Sequence, residues 1–156
     1  KVYLMLDLTL EDFQRWQRRP TSLHALDERL ALAVELGLSA QNEGFNLVAL
    51  ATGNEWHSID SINQFYRQIA TCQPQRAVTH SNSALPDKLS NEDGLHILVT
   101  GRWSHEAQSK VERWQKQGIL VLVFLIAETD EHQDSLPVGQ QFIEVQVSTD
   151  TEGEAA

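Results

Sequence analysis

The chain has 156 residues, 41% of them apolar and 22% charged, enough to bury one hydrophobic core unaided and too few for a second full domain. A formal net charge of −10 excludes a general nucleic-acid binder, since phosphate recognition rests on a basic surface. The longest apolar run, Ile119 to Ala127, is nine residues, against the roughly 20 that a bilayer-crossing helix requires.

Val2 to Leu8 is a nearly continuous apolar run closed by Asp7, the pattern of a strand buried on both faces of a parallel sheet. From Ser22, Leu23, Leu26, Leu30, Val34 and Leu38 recur at helical steps, Thr21 or Ser22 caps the start and Gly44 ends the run. Phe45 to Ala51 predicts a central strand, Gly53-Asn54 a tight turn, and Trp56 to Ile59 a short edge strand.

Ile59, Ile62, Phe65, Tyr66 and Ile69 predict a second helix that stops before Pro74. The stretch 73–93 is polar, holds Pro74 and Pro86, and predicts a long loop anchored by Ala84, Leu85 and Leu89. Leu95 to Val99 is the next strand. Ser104 to Gln117 is a helix with an inward stripe of Ala107, Val111 and Trp114, capped by Ser104 and stopped by Gly118. Ile119 to Ala127 and Phe142 to Val147 complete the strands.

Strands alternating with helices of this length need right-handed crossovers. The expected fold is therefore α/β, a doubly wound, mostly parallel sheet of about six strands with one antiparallel edge strand, in a single domain over 1–147. Residues 148–156 read as a flexible acidic tail. Lys1 runs straight into a strand without an initiator Met or leader, which reads as a piece of a longer chain. Lone Cys72 makes no internal disulfide and points to a reducing cytoplasm, although a chain without bridges also suits other compartments. It carries no local signature of a nucleophile.

In an open α/β sheet the ligand crevice lies at the carboxyl ends of the strands, where the strand order reverses. Strand one ends Asp7-Leu8-Thr9-Leu10-Glu11, three side-chain oxygens at alternate positions, the donor type that a hard cation such as Mg²⁺ takes. The competing reading is that Asp7 caps the following turn. After the strand at Leu95 comes Thr100-Gly101-Arg102, where a cation stands near the strand ends and is able to pair with Asp7.

Charge is uneven along the chain: Arg15, Arg18, Arg19 and Arg29 crowd the first thirty residues, whereas eight acids and no Lys or Arg follow Lys116. That asymmetry is able to steer a charged protein partner, or is simply a solvated face. Phe13, Trp16, Arg18 and Arg19 form the candidate interaction surface, because Trp and Arg dominate interface hot spots. His96 alternates with buried strand positions and reads as a satisfied core or edge residue. His57 and His105 lie near element ends without a nucleophile at defined spacing. The fingerprints G-x-G-x-x-G, G-x-x-x-x-G-K-[ST], G-x-S-x-G and H-E-x-x-H are all missing from the sequence, so catalysis has little support.

The order of elements resembles the von Willebrand factor A fold. The runs VYLMLDLTLE, LALAVELGLSAQNEGFNLVALAT, LHILVTGRW and GILVLVFLIA are similar to an uncharacterised bacterial family of degenerate A-like domains. The resemblance implies a metal-ion-dependent adhesion site of the pattern D-x-S-x-S, a loop Thr and an Asp after the fourth strand. Asp7 is kept, Thr9 stands for the first Ser, Glu11 replaces the second hydroxyl, Thr79 is the match to the loop Thr, and Arg102 stands near the missing carboxylate.

Asp7, Thr9, Glu11, Thr79 and Arg102 are thus expected to line a relic cleft used for protein contact, with no cofactor and weak Mg²⁺ binding or none. The resemblance further implies a cytoplasmic, non-catalytic protein-protein interaction module within a larger membrane-associated protein that works with a MoxR-type ATPase. The alternatives are a functional Mg²⁺-dependent A-type binding domain, favoured if Asp87 reaches Asp7, or a small nucleotide- or flavin-binding α/β enzyme domain.

Overall fold

The computed structural model describes residues 1–10, 23–52, 55–73, 75–76, 85–86, 89, 94–101, 103–126 and 142–144. In chain order these form β1 (Val2–Leu6), β2 (Thr9–Leu10), α1 (Leu23–Asn42), β3 (Leu47–Thr52), β4 (Glu55–Ser58), α2 (Ile62–Ala70), β5 (Gln75–Arg76), β6 (Leu95–Thr100), α3 (His105–Lys116), β7 (Leu120–Leu125) and β8 (Phe142–Glu144). The expected tail, 148–156, lies outside the described residues.

The fold is α/β. Strands β3, β1, β6, β7 and β8 run parallel, and β4 closes the edge beside β3 as the one antiparallel member, in the order β4-β3-β1-β6-β7-β8. Chain order steps from β1 outwards to β3 and then returns across to β6, so the direction of winding reverses between β1 and β6. All five residues of β1 are buried, as a strand with neighbours on both edges and helices on both faces requires. A separate parallel ladder, Thr9 with Gln75 and Leu10 with Arg76, continues beyond the end of β1, where sequence predicts only loop.

Alternation along the strands splits the core into two layers. Leu4, Leu6, Leu50, Ile97 and Val99 pack with Leu26, Ala33 and Ala40 of α1 and Phe65 and Ile69 of α2. Met5, Ala51, Leu98, Val121, Val123 and Leu125 pack with Ala107, Val111 and Trp114 of α3, joined by Leu85, Leu89 and Trp103. Trp103 and Trp114 share this layer, but Trp103 precedes α3 instead of lying on its face.

Local signals set the helix ends. Ser61 and Ser104 accept from Gln64 N and Ala107 N at 3.2 and 3.1 Å as N-caps. Gly44 and Gly118 both adopt φ +83°. Their N–H groups reach Gln41 O and Gln115 O at 3.0 Å, while the N–H groups of Phe45 and Ile119 reach back to Ala40 O and Trp114 O, a Schellman closure at each helix.

The inward face of α1 differs from the predicted leucine stripe. Leu26, Arg29, Ala33, Gly37 and Ala40 are buried, whereas Leu30, Val34 and Leu38 are half-buried on the flanks. Close approach is the cause: a Cβ on Gly37 would stand 2.6 Å from Cε1 of Phe65, so the helix seats small residues along its line of contact.

Candidate functional site

The carboxyl ends of β1 and β6 meet where the winding reverses, the position at which such sheets bind ligands. Parallel pairing with β6 extends one residue past β1 and one past β7, with Asp7 N donating to Val99 O at 2.8 Å and Ile126 N to Thr100 O at 2.9 Å. Asp7 and Thr100 are thereby placed side by side.

The Asp7 side chain turns inward. The residue is 7% exposed, its Oδ2 accepts from the Thr100 hydroxyl at 2.7 Å, and its Oδ1 accepts from Thr9 N at 2.9 Å. The second bond is an Asx turn, the capping role that competes with the metal reading at sequence level. An open groove above this carboxylate is therefore corrected to a buried, internally bonded acid. Thr9 beside it is half-buried.

The cation at the strand ends is Arg29, two turns into α1. Its Nη1 donates to Asp7 O at 3.0 Å and to Thr9 O at 2.8 Å, and the residue is 0% exposed. Sequence reading grouped Arg29 with a solvated basic face; the structure corrects that, because the carbonyls of Asp7, just past β1, and Thr9, at the start of β2, provide acceptors that replace water. Two signals pointed there: Arg29 falls on the stripe of Leu26, Ala33, Gly37 and Ala40, and a glycine, Gly101, follows β6 directly. A Cβ at Gly101 would overlap Nη2 and Cζ of Arg29, so space alone demands glycine there.

These residues do not fit a divalent cation. Both Asp7 oxygens already accept hydrogen bonds, and a fixed guanidinium lies against the same backbone, where unit charges about 4 Å apart interact by about 4 kcal/mol at a surface-like dielectric. No group of three or more His, Cys, Asp or Glu suited to a metal occurs among the described residues. Of the remaining expected residues, Glu11, Thr79, Arg102 and the surface Phe13, Trp16, Arg18 and Arg19 lie outside the described residues, as does Asp87.

Three further groups bear on chemistry. His57 lies 3.1 Å from the Thr52 hydroxyl through Nε2, a diagonal bond that braces the β3–β4 hairpin. Cys72 follows the end of α2, its Sγ donates to Gln68 O at 3.2 Å, and burial pushes its thiol up to about 11. His96 is 0% exposed in the middle of the sheet, stacked on Tyr3 at 4.5 Å and 8°. It is a core residue as expected but not a satisfied one, since neither ring nitrogen has a hydrogen-bond partner of good geometry. Burial holds its imidazole below the ordinary histidine value, partly opposed by the Gly94 backbone.

At the reversal point of the α/β sheet an acid and a hydroxyl are thus hydrogen-bonded to each other beside a buried arginine. Comparison with known proteins adds no relative: no family model, no curated protein and no solved structure matches the chain. Among the described residues no helix is long and apolar enough to cross a membrane.

Proposed function

We propose that this chain is a non-catalytic protein-protein interaction module of the von Willebrand factor A type, with a degenerate, metal-free adhesion site. It serves as the cytoplasmic domain of a larger membrane-associated protein that works with a MoxR-type ATPase. The reading is carried by one observation: the acid closing β1 spends both carboxylate oxygens on Thr100 and on Thr9 N. A nucleophile, a general base or a metal ligand must be reached by what it acts on, and this carboxylate is buried with each oxygen bonded inside the domain. The sheet order, with its single antiparallel edge strand after β3, supports the same class. Partner contact is assigned to Phe13, Trp16, Arg18 and Arg19, whose residue types suit a hot spot.

Calorimetric titration of the domain with Mg²⁺ and Mn²⁺ tests the metal-free site. No heat of binding is expected, and micromolar affinity for either ion overturns it. Binding to the MoxR-type ATPase encoded nearest to it, compared between wild type, Trp16→Ala and Arg18→Glu, tests the contact surface. Weakened binding by both variants is expected; equal binding by all three proteins, or none by wild type, removes the assignment.

A further inference from the structure

The guanidinium of Arg29 does more than fill space. Its Nη1 bonds two carbonyls, Asp7 O just past β1 at 3.0 Å and Thr9 O at the start of β2 at 2.8 Å. Its Nη2 side lies so close to Gly101 that any Cβ there would overlap it. Gly101 does not adopt a positive φ, a conformation confined among the described residues to Gly44 and Gly118. The absence of a side chain at 101 therefore serves the guanidinium and not the backbone. Two backbone carbonyls just past β1 and a bare glycine wall suit a planar, permanently charged donor. Together they make a built site at the place where the fold takes its ligands.

We propose that Arg29 is the tethered resident ligand of the switch-point crevice, and that the site it occupies is selective for guanidinium-type cations. The crevice is closed by its own chain, and removing the side chain leaves a pocket that free guanidinium refills. This rests on the reading of the strand-end site as metal-free, and is independent of whether a protein partner is found.

The test is thermal unfolding of wild type, Arg29→Ala and Arg29→Ala/Gly101→Ala in low guanidinium chloride, with equal concentrations of NaCl and of urea as controls for charge and shape. Arg29→Ala is expected to melt below wild type and to regain about 2 °C or more in about 20 mM guanidinium, with no gain from NaCl or urea. Wild type gains nothing because its site is full. The double variant gains nothing because the methyl group added at position 101 enters the pocket. Equal responses of Arg29→Ala to guanidinium and NaCl overturn the proposal.

Should Arg29→Ala fail to fold, Gly101→Ala is compared in wild type and in Arg29→Lys. A loss of several degrees in wild type that shrinks by half or more beside the slimmer lysine is expected, and equal losses in the two backgrounds overturn it. Micromolar Mg²⁺ binding by wild type removes the metal-free reading, whereas failed rescue in a protein that binds no metal removes this inference alone.

Discussion

The hydroxyl of Thr100 donates to Oδ2 of Asp7 at 2.7 Å, tying residues 93 positions apart across the boundary between β1 and β6. Because Thr9 N donates to the other oxygen, the carboxylate faces donors on both sides. Asp7→Asn keeps Oδ1 for Thr9 N but presents an amide N–H₂ to Thr100, whose hydroxyl must rotate to accept, so a carboxylate acceptor is exchanged for a weaker amide in a buried place. The expected loss is about 1–3 kcal/mol in urea-induced unfolding, with an unchanged m-value. Thr100→Val removes one donor and costs less, about 1 kcal/mol. The double variant should lose less than the sum of the two, which a double-mutant cycle measures. Additive losses would show that the two side chains do not depend on each other.

Gly37 tests how closely α1 lies against α2. Its missing side chain admits the Phe65 ring, 2.6 Å from where a Cβ would be. Gly37→Ala gains helix propensity of about 1 kcal/mol, yet pushes a fully buried ring whose neighbours are packed. The net expectation is destabilisation by about 1–2 kcal/mol, reversed in sign when Phe65→Leu makes room. A stabilised single variant would mean that the α1–α2 contact yields more readily than packing density implies.

Features written in adjacent residues were legible in the sequence, and features made by distant ones were not. The unbroken apolar runs at β1, β6 and β7, the serine cap at Ser104 and the stops at Gly44 and Gly118 are local, and their physics needs no partner, whereas the start of α2, expected after Ser58 or Asp60, is capped by Ser61. Asp7 was legible as a strand-end acid, but its inward turn depends on Thr100. The stripe of α1 was misread because large leucines score as the buried face, whereas close packing, at Gly37 against Phe65 of α2, reserves the contact line for Ala33, Gly37 and Ala40. Arg29 was hidden for a related reason: a charge within a helix reads as solvated unless the acceptors that would bury it are known, and those are supplied by Asp7 O and Thr9 O.

Cys72 is expected to be a poor nucleophile in the folded protein. With its thiol pushed up to about 11 by burial, only about one molecule in a thousand carries a thiolate at pH 8. Its S–H is in addition committed to Gln68 O. Disulfide-exchange labelling at that pH should be slow in native protein and at least about tenfold faster in urea, where the ordinary thiol value returns. Equal rates in the two states would place the thiol in water.

Burial of His96 is expected to lower the stability of the fold in acid. Burial disfavours the charged form of the His96 imidazole, and the ring stacked against it is the phenol of Tyr3. Unfolding restores the ordinary value of 6.5, so below that pH the unfolded chain binds a proton that the native chain refuses. The contribution is fully present above pH 6.5 and is lost as pH falls from there towards the lower native value, with a slope of at most about 1.4 kcal/mol per pH unit. His96→Phe keeps a ring against Tyr3 and removes the proton site. Urea unfolding followed from about pH 7.5 to about pH 5 should therefore show a falling wild-type stability and a flatter profile for His96→Phe. Parallel profiles would mean that the imidazole charges without cost in the folded state, which a fully buried ring with no hydrogen-bond partner of good geometry does not permit.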